Sequence, residues 1–376
     1  MGLPLPEADP STLGLDPAAL ERACGYIASQ VAAGAYPGAQ FAVARRGRLA
    51  LFRSFGNARI DPAVVPAKDD TLFLLYSNTK VPTASAIWHL MEQGKLRFHD
   101  RIADYLPGFE KHRKGEITIF QALTHQGGFP SAVIPPEAWS DHDLLRQVVC
   151  DIQPEWPAGS RLQYHGASAH WVMAAMIEAI TGEDYRNFIR SRIIAPLGLS
   201  DDLKLGLVGE EHGRAAEMHE PDGAGGMRRR MLESSDAHRA AGVPGGGGYA
   251  TARGMAAFYQ ALVQGGRLGG TRLFSPRTIQ YVTQDFTGDR LDLQSGRPMH
   301  RGLGPYVRSH SASARGTGSI AHPRTFGHGG AGSSFCWGDP DSGVSMAYLS
   351  NGRHPEEWHD SRTEVISNLV HSSIIE

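Results

Sequence analysis

Strand-forming segments lie near both ends of this 376-residue chain, whereas its long middle part has the pattern of helices and loops. Runs of apolar residues between turn residues predict strands at 40–44, 49–52, 325–328, 334–337 and 344–349. The first two flank Arg46-Gly47 and are predicted to form a hairpin. Hydrophobic periodicity predicts helices at 17–33, 117–123, 170–180, 185–194 and 359–375. This distribution predicts that the two ends of the chain build one α/β unit together.

The same patterns predict two lobes. Residues 1–95 and 241–376 would form an α/β (α+β) lobe, and residues 96–240 would form a mainly helical lobe inserted into it. An active site is then expected in the cleft between the lobes. Within the insertion, residues 203–240 are low in hydrophobic content and rich in Gly, Glu and Arg, which predicts a variable surface excursion.

The composition is globular and nearly neutral. The chain is 41% hydrophobic and 20% charged with a formal net charge of -2, so it has no broad field for nucleic acid or an anionic membrane. Arg228-Arg229-Arg230 is short and is expected in a solvated loop. No apolar run approaches the roughly 18 residues of a membrane helix, and residues 1–16 lack the pattern of a secretory signal. These features predict a cytoplasmic protein, and a homo-oligomer is compatible with them.

No metal or cofactor is predicted. Cysteines far apart in the chain, without a C-x-x-C pair, predict neither a disulfide framework nor a zinc site: Cys24, Cys150 and Cys336. The 17 histidines include no H-E-x-x-H motif. His354 and His359 lie beside Glu356 and Glu357, an arrangement that a solvated helix start explains better than a metal site. The four glycines at 245–248 are not followed by Lys-Ser/Thr, which argues against a phosphate loop.

Ser77-Asn78-Thr79-Lys80 places a hydroxyl and an amine three residues apart, at the start of a helix predicted at 77–93. Residues i and i+3 share a helix face, so the two polar groups can meet. A serine hydroxyl needs a nearby base to become a useful nucleophile, and the S-x-x-K pattern supplies one. Pro82 would remove a hydrogen bond inside this helix, so either its first turn is irregular or the helix is bent. A short motif alone more often marks an exposed helix start, so a catalytic role for this one depends on further motifs in the chain.

Further stretches follow this motif in order: Leu123-Thr124-His125-Gln126-Gly127-Gly128-Phe129, Tyr164-His165-Gly166, residues 244–251 and His328-Gly329-Gly330. Together they resemble the sequence boxes of the serine β-lactamase and penicillin-binding-protein superfamily, in its class C-like branch and closest to the family VIII carboxylesterases. The resemblance extends over most of residues 38–351. It implies a β-lactamase/transpeptidase-like fold, in which an antiparallel sheet flanked by helices forms the α/β lobe.

The resemblance also implies roles for individual residues. Ser77 would attack an acyl carbonyl and form a covalent acyl-enzyme, with Lys80 and Tyr164 as the general base and acid pair. An ionised phenol costs about 4 kcal/mol at pH 7, and an ammonium about 4 Å away contributes a similar ~4 kcal/mol, so either Lys80 or Tyr164 could be the base. The backbone N–H groups of Ser77 and Ala331 would form the oxyanion hole.

Candidate substrate-binding residues lie in or near the same boxes: His328, Gly329, Gly330, Phe129, Trp156, Trp337 and Gly166. The three aromatic residues are candidates for an apolar acyl pocket, and ordinary core packing explains them equally well. Gly166 replaces the asparagine of the family's Y-x-N box. His328 replaces a lysine that commonly faces a substrate carboxylate, and a histidine near its reference pKa is mostly neutral at pH 7. Both changes favour a neutral ester over a β-lactam or a D-Ala-D-Ala peptide.

The predicted function is therefore a serine carboxylesterase that acts on a small-molecule ester and uses water as the second acceptor. Alternatives are an acyltransferase that passes the acyl group to an alcohol, a DD-peptidase or β-lactamase, and a non-catalytic scaffold. The chain contains no G-x-S-x-G, which argues against a nucleophile-elbow α/β-hydrolase. The joint presence of Ser77, Lys80 and Tyr164 argues against a scaffold.

Overall fold

The computed structural model describes residues 4–313 and 315–376. Its helices are α1 (Pro17–Ala32), α2 (Lys80–Glu92), α3 (Ile119–Leu123), α4 (His142–Asp151), α5 (Ser168–Thr181), α6 (Tyr185–Ile189), α7 (Asp236–Ala241), α8 (Ala252–Val263), α9 (Pro276–Val282) and α10 (Glu356–Ser372). Its strands are β1 (Gly38–Arg45), β2 (Arg48–Arg59), β3 (Val65–Pro66), β4 (Phe73–Leu74), β5 (Leu203–Leu205), β6 (His219–Pro221), β7 (Met227–Arg229), β8 (Gly248–Ala250), β9 (Arg267–Leu268), β10 (Thr271–Arg272), β11 (Leu291–Asp292), β12 (Arg297–Pro298), β13 (Tyr306–Val307), β14 (Phe326–Gly330), β15 (Ser334–Asp339) and β16 (Val344–Ser350).

The main sheet joins strands from both ends of the chain. Its order is β13-β14-β15-β16-β1-β2-β3, and each neighbouring pair is antiparallel. β1 pairs with β16 on one side and β2 on the other, so that Phe41 lies opposite Tyr348 and Arg53. The predicted antiparallel sheet is confirmed, as is the hairpin between β1 and β2.

Both faces of the main sheet are covered by helices. Successive side chains of a strand point to opposite faces. Accordingly, Phe41 and Val43 of β1 pack into an apolar cluster with α1 and α10, whereas Ala42 and Ala44 pack into a second cluster with α8. Burial on both faces explains why this strand is apolar without alternation.

The helix of the S-x-x-K motif begins irregularly, which was one of the two predicted alternatives. A 3₁₀ turn spans Tyr76–Thr79, and α2 continues from Lys80. Pro82 is the third residue of α2, where the backbone N–H would have no partner within the helix, so the proline removes no hydrogen bond. In a regular helix the proline ring would clash with the carbonyl of Asn78, four residues earlier. This clash is consistent with the position of Asn78 in the 3₁₀ turn rather than in α2.

Two expectations for residues 203–240 are wrong. β5 pairs with β8, which also pairs with β4, so the segment starts as part of a small sheet rather than as a surface excursion. The three arginines at 228–230 are not in a solvated loop, because β7 pairs with β6 and Arg230 forms ion pairs with Glu220 and Glu233. Sequence patterning missed these contacts because the three strands have only three residues each, too few to show a period, and β5 pairs with a strand outside the segment.

The remaining middle region is helical, with α3 to α6 between residues 119 and 189. The division of the chain into two lobes at residues 95 and 240 stays a prediction. Among residues 4–313 and 315–376, each helix is too short or too polar to cross a lipid bilayer.

Candidate active site

Ser77 lies in the 3₁₀ turn before α2, and the neighbouring side chains anchor this turn on two sides. The Thr79 hydroxyl accepts a hydrogen bond of 2.9 Å from the backbone N–H of Gly248. The Asn78 amide donates a hydrogen bond of 2.8 Å to the Ser334 hydroxyl at the start of β15. The turn that carries Ser77 is therefore held between the Gly-rich segment before α8 and the turn between β14 and β15.

Lys80 points from α2 toward Ser77 and is fully buried. Its Nζ lies 3.2 Å from Ser77 Oγ, 2.6 Å from the carbonyl oxygen of Gly166 and 2.8 Å from that of Gly245. Burial lowers the pKa of Lys80 to about 7, and the charge of Arg301 acts in the same direction against the opposing effect of Tyr306. Both protonation states of this amine are therefore accessible at neutral pH.

The three contacts of Lys80 fit both protonation states, because an ammonium can donate to Ser77 Oγ as well as to the two carbonyl oxygens. A neutral amine has two N–H donors and one lone pair, and two of its neighbours are carbonyl oxygens that only accept. In the neutral form both donors are used on Gly166 and Gly245, and the lone pair is left to accept the hydroxyl hydrogen of Ser77. The missing asparagine of the Y-x-N box is thus replaced, with respect to Lys80, by the backbone carbonyl of Gly166.

Tyr164 lines the same cavity as Ser77, and Lys80 Nζ lies 5.0 Å from the centre of its ring. Burial raises the pKa of Tyr164 to about 12, and the Ser77 hydroxyl and the Arg301 charge only partly oppose this rise. The phenol is therefore protonated at neutral pH and is suited to donate a proton rather than to remove one.

His125 of the Leu-Thr-His stretch supports Tyr164 from behind. Its ring centre lies 4.7 Å from that of Tyr164, and its Nδ1 accepts a hydrogen bond of 2.9 Å from the backbone N–H of His165. The Nε2 of His165 in turn accepts a hydrogen bond of 3.1 Å from the N–H of Phe129. Two of the sequence boxes are thus joined by histidine side chains that fix the position of Tyr164.

The turn after β14 brings Ala331 to the cavity that Ser77 lines. Ala331 has a φ of 34°, a left-handed conformation that turns the chain sharply toward β15. At Gly330, a Cβ would lie 2.2 Å from the carbonyl oxygen of Leu75, so only glycine allows this close approach to the turn that carries Ser77. The close approach places the backbone of residues 77 and 331 on the same cavity.

The cavity in front of Ser77 has a volume of about 410 Å³. His328, Gly329 and Gly330 line it as the sequence predicts. Burial holds the pKa of His328 well below its usual range, so its imidazole is neutral. The ring of His328 stacks on Tyr306, with ring centres 4.3 Å apart.

The chain as a whole is similar to known proteins. The Beta-lactamase family profile matches residues 25–370 of the chain. The protein belongs to the beta-lactamase family. The esterase/beta-lactamase LipL of Mycobacterium tuberculosis is 27% identical over 76% of this chain and 71% of its own length. A putative D-alanyl-D-alanine carboxypeptidase of Escherichia coli is 26% identical over 93% of this chain and 86% of its own length. The crystal structure of a family VIII carboxylesterase superposes with a TM-score of 0.82 and 26% identity, covering 96% of this chain and 99% of that one.

The predicted resemblance and fold are thus confirmed, and the protein is an enzyme of the serine beta-lactamase and esterase superfamily. Members named in the comparison include esterases and a putative carboxypeptidase. The family therefore indicates a hydrolase in general, whereas the chemical class of its substrate has to be inferred from the residues of this chain's own site.

In this beta-lactamase family member, the structure does not bring the three predicted aromatic residues to the cavity. Trp337 is fully buried, donates a hydrogen bond of 2.9 Å from Nε1 to the Ser367 hydroxyl and packs between the main sheet and α10. It lies on β15 two residues from Phe335, which lines the cavity, and both side chains belong to the apolar cluster under α10. Phe129 is also fully buried, and Trp156 packs under the guanidinium of Arg161.

Sequence reasoning missed the charged residues that line the cavity. Arg301 and Asp292 form a buried ion pair with 2.6 Å between Nη2 and Oδ2. Arg315 pairs with Glu356 at the start of α10. A Gly- and Pro-rich loop at residues 302–305 beside Tyr306 was the available signal, since such loops often carry site residues.

The histidines near the start of α10 are another correction. Glu356 and Glu357 are exposed as predicted, but His359 is only 5% exposed and its Nε2 lies 3.2 Å from the carbonyl oxygen of Ser334. His359 lines the cavity rather than a solvated helix start, because α10 packs against the turn between β14 and β15.

In the part of the chain that the structure describes, two groups of side chains have metal-ligand chemistry: His142 with Glu178 and Asp184, and His322 with Asp339 and Asp341. Arg186 pairs with Asp184 and its Nη2 lies 2.9 Å from His142 Nε2, so a cationic side chain already occupies the first group. Arg324 pairs with Asp341 in the second. Both groups lie outside the cavity of Ser77.

Proposed function

We propose that this enzyme hydrolyses carboxylic esters through an acyl-enzyme on Ser77, with Lys80 as the base that activates the hydroxyl and Tyr164 as a proton donor. The observation that carries the proposal is the set of contacts of Lys80 Nζ, with 3.2 Å to Ser77 Oγ and the carbonyl oxygens of Gly166 and Gly245 at 2.6 and 2.8 Å. In its neutral form, an amine at this distance from a serine hydroxyl can act as a general base.

In acylation, Ser77 Oγ bonds to the ester carbonyl carbon while its proton passes to Lys80. The carbonyl oxygen becomes an oxyanion that accepts hydrogen bonds from the backbone N–H groups of Ser77 and Ala331. The bond to the alcohol then breaks, and the leaving oxygen takes a proton from Tyr164, which recovers one from the Lys80 ammonium. In deacylation, a water molecule attacks the same carbon, loses a proton to this pair and releases the acid with Ser77 restored.

The chemistry of the site supports an ester rather than an amide or lactam. His328 is neutral, so it supplies no cation for a substrate carboxylate where the family commonly has a lysine. Gly166 offers Lys80 a carbonyl but has no side-chain amide to bind an acylamino group. The names of LipL and of the family VIII carboxylesterase are consistent with ester hydrolysis.

A DD-peptidase or β-lactamase is the second candidate, because Arg315 and Arg353 line the cavity and could face a substrate carboxylate. The carboxypeptidase among the relatives belongs to the same candidate. Nitrocefin and an acyl-D-Ala-D-Ala peptide should be hydrolysed far more slowly than a p-nitrophenyl ester. Comparable rates would favour the second candidate.

Addition of alcohols during ester turnover tests acyl transfer, since a new ester among the products would identify an acyltransferase.

Mass spectrometry of the intact protein tests the acyl-enzyme directly. After brief exposure to p-nitrophenyl acetate, butyrate or octanoate, we expect a mass gain equal to the acyl group, located after digestion on the peptide that contains Ser77. Labelling by a fluorophosphonate should occur at the same residue. An adduct on another residue, or no labelling by either reagent, would refute the proposal.

The pH dependence of ester hydrolysis should follow Lys80. Because its pKa is about 7, kcat/KM should rise with pH, reach half of its maximum near pH 7 and then level off. The phenol of Tyr164 should add no second limb below pH 10, since its pKa is about 12. Initial rates between pH 5 and 10 (roughly the range in which a soluble enzyme stays folded) measure the profile. A half-maximum near pH 10 would mean that Lys80 is not the base.

A further inference from the structure

Tyr76, the residue directly before the nucleophile, has a backbone conformation that bulky residues rarely adopt. Its φ is 45°, in the left-handed region that favours glycine. Such a conformation is strained and persists only where surrounding contacts hold it. The φ and ψ angles of Tyr76 set the direction of the next peptide unit, so contacts that hold Tyr76 also orient the N–H and the side chain of Ser77.

Two kinds of contact hold Tyr76. Its ring packs against an apolar cluster that includes Leu74 and Tyr249, next to the small sheet of β4, β8 and β5. Its hydroxyl donates a hydrogen bond of 3.0 Å to Oε1 of Glu233. Glu233 is 7% exposed, and the same Oε1 accepts a hydrogen bond of 2.8 Å from Nε of Arg230. A partly buried ion pair from the segment 203–240 is therefore in contact with the turn that carries Ser77.

The protonation states fix the direction of this hydrogen bond. Burial favours the neutral form of Glu233, but the hydrogen bond and charge of Arg230 outweigh it and hold the pKa of the carboxyl below its usual range. Burial and the carboxylate of Glu233 raise the pKa of Tyr76, so its phenol stays protonated. A carboxylate can only accept, and Tyr76 must therefore donate.

We propose that Tyr76 and Glu233 are positioning residues: the Glu233 carboxylate, fixed by Arg230, holds the Tyr76 side chain, and Tyr76 holds Ser77 in the orientation for attack. The inference rests on the proposed function, because it concerns Ser77 as the nucleophile. It gives the segment 203–240 a part in catalysis, although none of the described residues that line the cavity of Ser77 belongs to that segment.

Tyr76→Phe keeps the ring and removes only the hydroxyl that contacts Glu233. We expect kcat for a p-nitrophenyl ester to fall roughly 10- to 100-fold while KM stays within about twofold, since a small displacement of a reacting atom lowers the rate of the chemical step more than binding. The second-order rate of fluorophosphonate labelling of Ser77 should fall by a similar factor. The matched control is Tyr249→Phe, which removes a hydroxyl from the same apolar cluster and should leave both rates unchanged.

Glu233→Gln tests the other partner. It should lower kcat by about 3- to 30-fold, because a neutral amide is a weaker acceptor than a carboxylate and leaves Arg230 unpaired on this side. The control Glu220→Gln removes the other carboxylate partner of Arg230 without contacting Tyr76 and should retain the kcat of the unmodified enzyme. The combined variant Tyr76→Phe/Glu233→Gln should lose no more than the more damaged single variant, since both changes remove one interaction.

Several results would overturn the inference. Unchanged kcat and unchanged labelling in Tyr76→Phe would do so, and so would multiplicative losses in the combined variant. A loss of kcat that only follows a loss of folded protein, with the folded fraction labelled at the normal rate, would assign Tyr76 a structural role alone. If the unmodified enzyme itself is not labelled at Ser77, the proposed function fails and this inference fails with it. If the unmodified enzyme is labelled but the Tyr76→Phe variant behaves normally, only this inference fails.

Discussion

Ser77→Ala should lower kcat/KM for p-nitrophenyl esters by about 10⁴- to 10⁶-fold, because it removes the atom that forms the acyl bond. The variant should still fold, since Ser77 Oγ contacts Lys80 and the cavity rather than the core. Initial rates at saturating and limiting ester, together with the melting temperature, measure both expectations. Turnover within tenfold of the unmodified enzyme would show that the ester is cleaved elsewhere.

The same substitution elsewhere in α2 provides the control. Ser85 is buried in this helix and donates a hydrogen bond of 2.8 Å to the carbonyl oxygen of Val81, away from the cavity. Ser85→Ala should retain normal kcat/KM. A loss in Ser85→Ala comparable to that in Ser77→Ala would indicate damage to the helix rather than removal of the nucleophile.

Lys80→Met should lower kcat by about 10²- to 10⁴-fold, the usual contribution of a positioned general base. Methionine has a similar length and no amine, so Ser77 remains in place without a group to take its proton. The rise of activity around pH 7 should also disappear, because Lys80 is the group whose pKa is about 7. Rates measured across pH test both effects, and a variant that keeps the rise would show that another group titrates there.

Lys114 provides a matched control for this change. It is the other fully buried lysine in the described part of the chain, and its Nζ donates hydrogen bonds of 2.9 Å to the carbonyl oxygens of Lys111 and Cys150. Lys114→Met therefore removes a buried amine held by two carbonyls, but one that lies outside the cavity. We expect normal kcat and a normal pH profile, whatever the change in melting temperature.

Much of the fold could be predicted from local patterns. The strand and helix patterns predicted one α/β unit built from both ends of the chain, and the resemblance of the sequence boxes implied the antiparallel sheet and the superfamily. Each of these signals is carried by residues close together in the chain. The tryptophan at 337 shows where such reasoning stops. Trp337 is close to the His328 box in sequence. In the folded chain, however, its side chain packs against α10 in the core rather than in the cavity.

The charged residues that line the cavity could not be predicted from local patterns either. Arg301 and Asp292 face the site because a loop and a short hairpin fold over Tyr164, and nothing periodic marks such residues in a sequence. The contact between Tyr76 and Glu233 joins positions 157 residues apart. Interactions of this kind depend on long-range packing, so only the folded chain reveals them.

The sequence by itself determined which groups this enzyme brings to the reaction: a serine, a lysine three residues later and a tyrosine in a separate box, with glycines where the backbone must come close. Only the tertiary structure shows how the lysine is placed relative to the serine and the tyrosine. Carbonyl groups from residues 166 and 245 surround an amine that burial has removed from water, and desolvation by distant parts of the chain is what lowers the pKa of Lys80 to about 7.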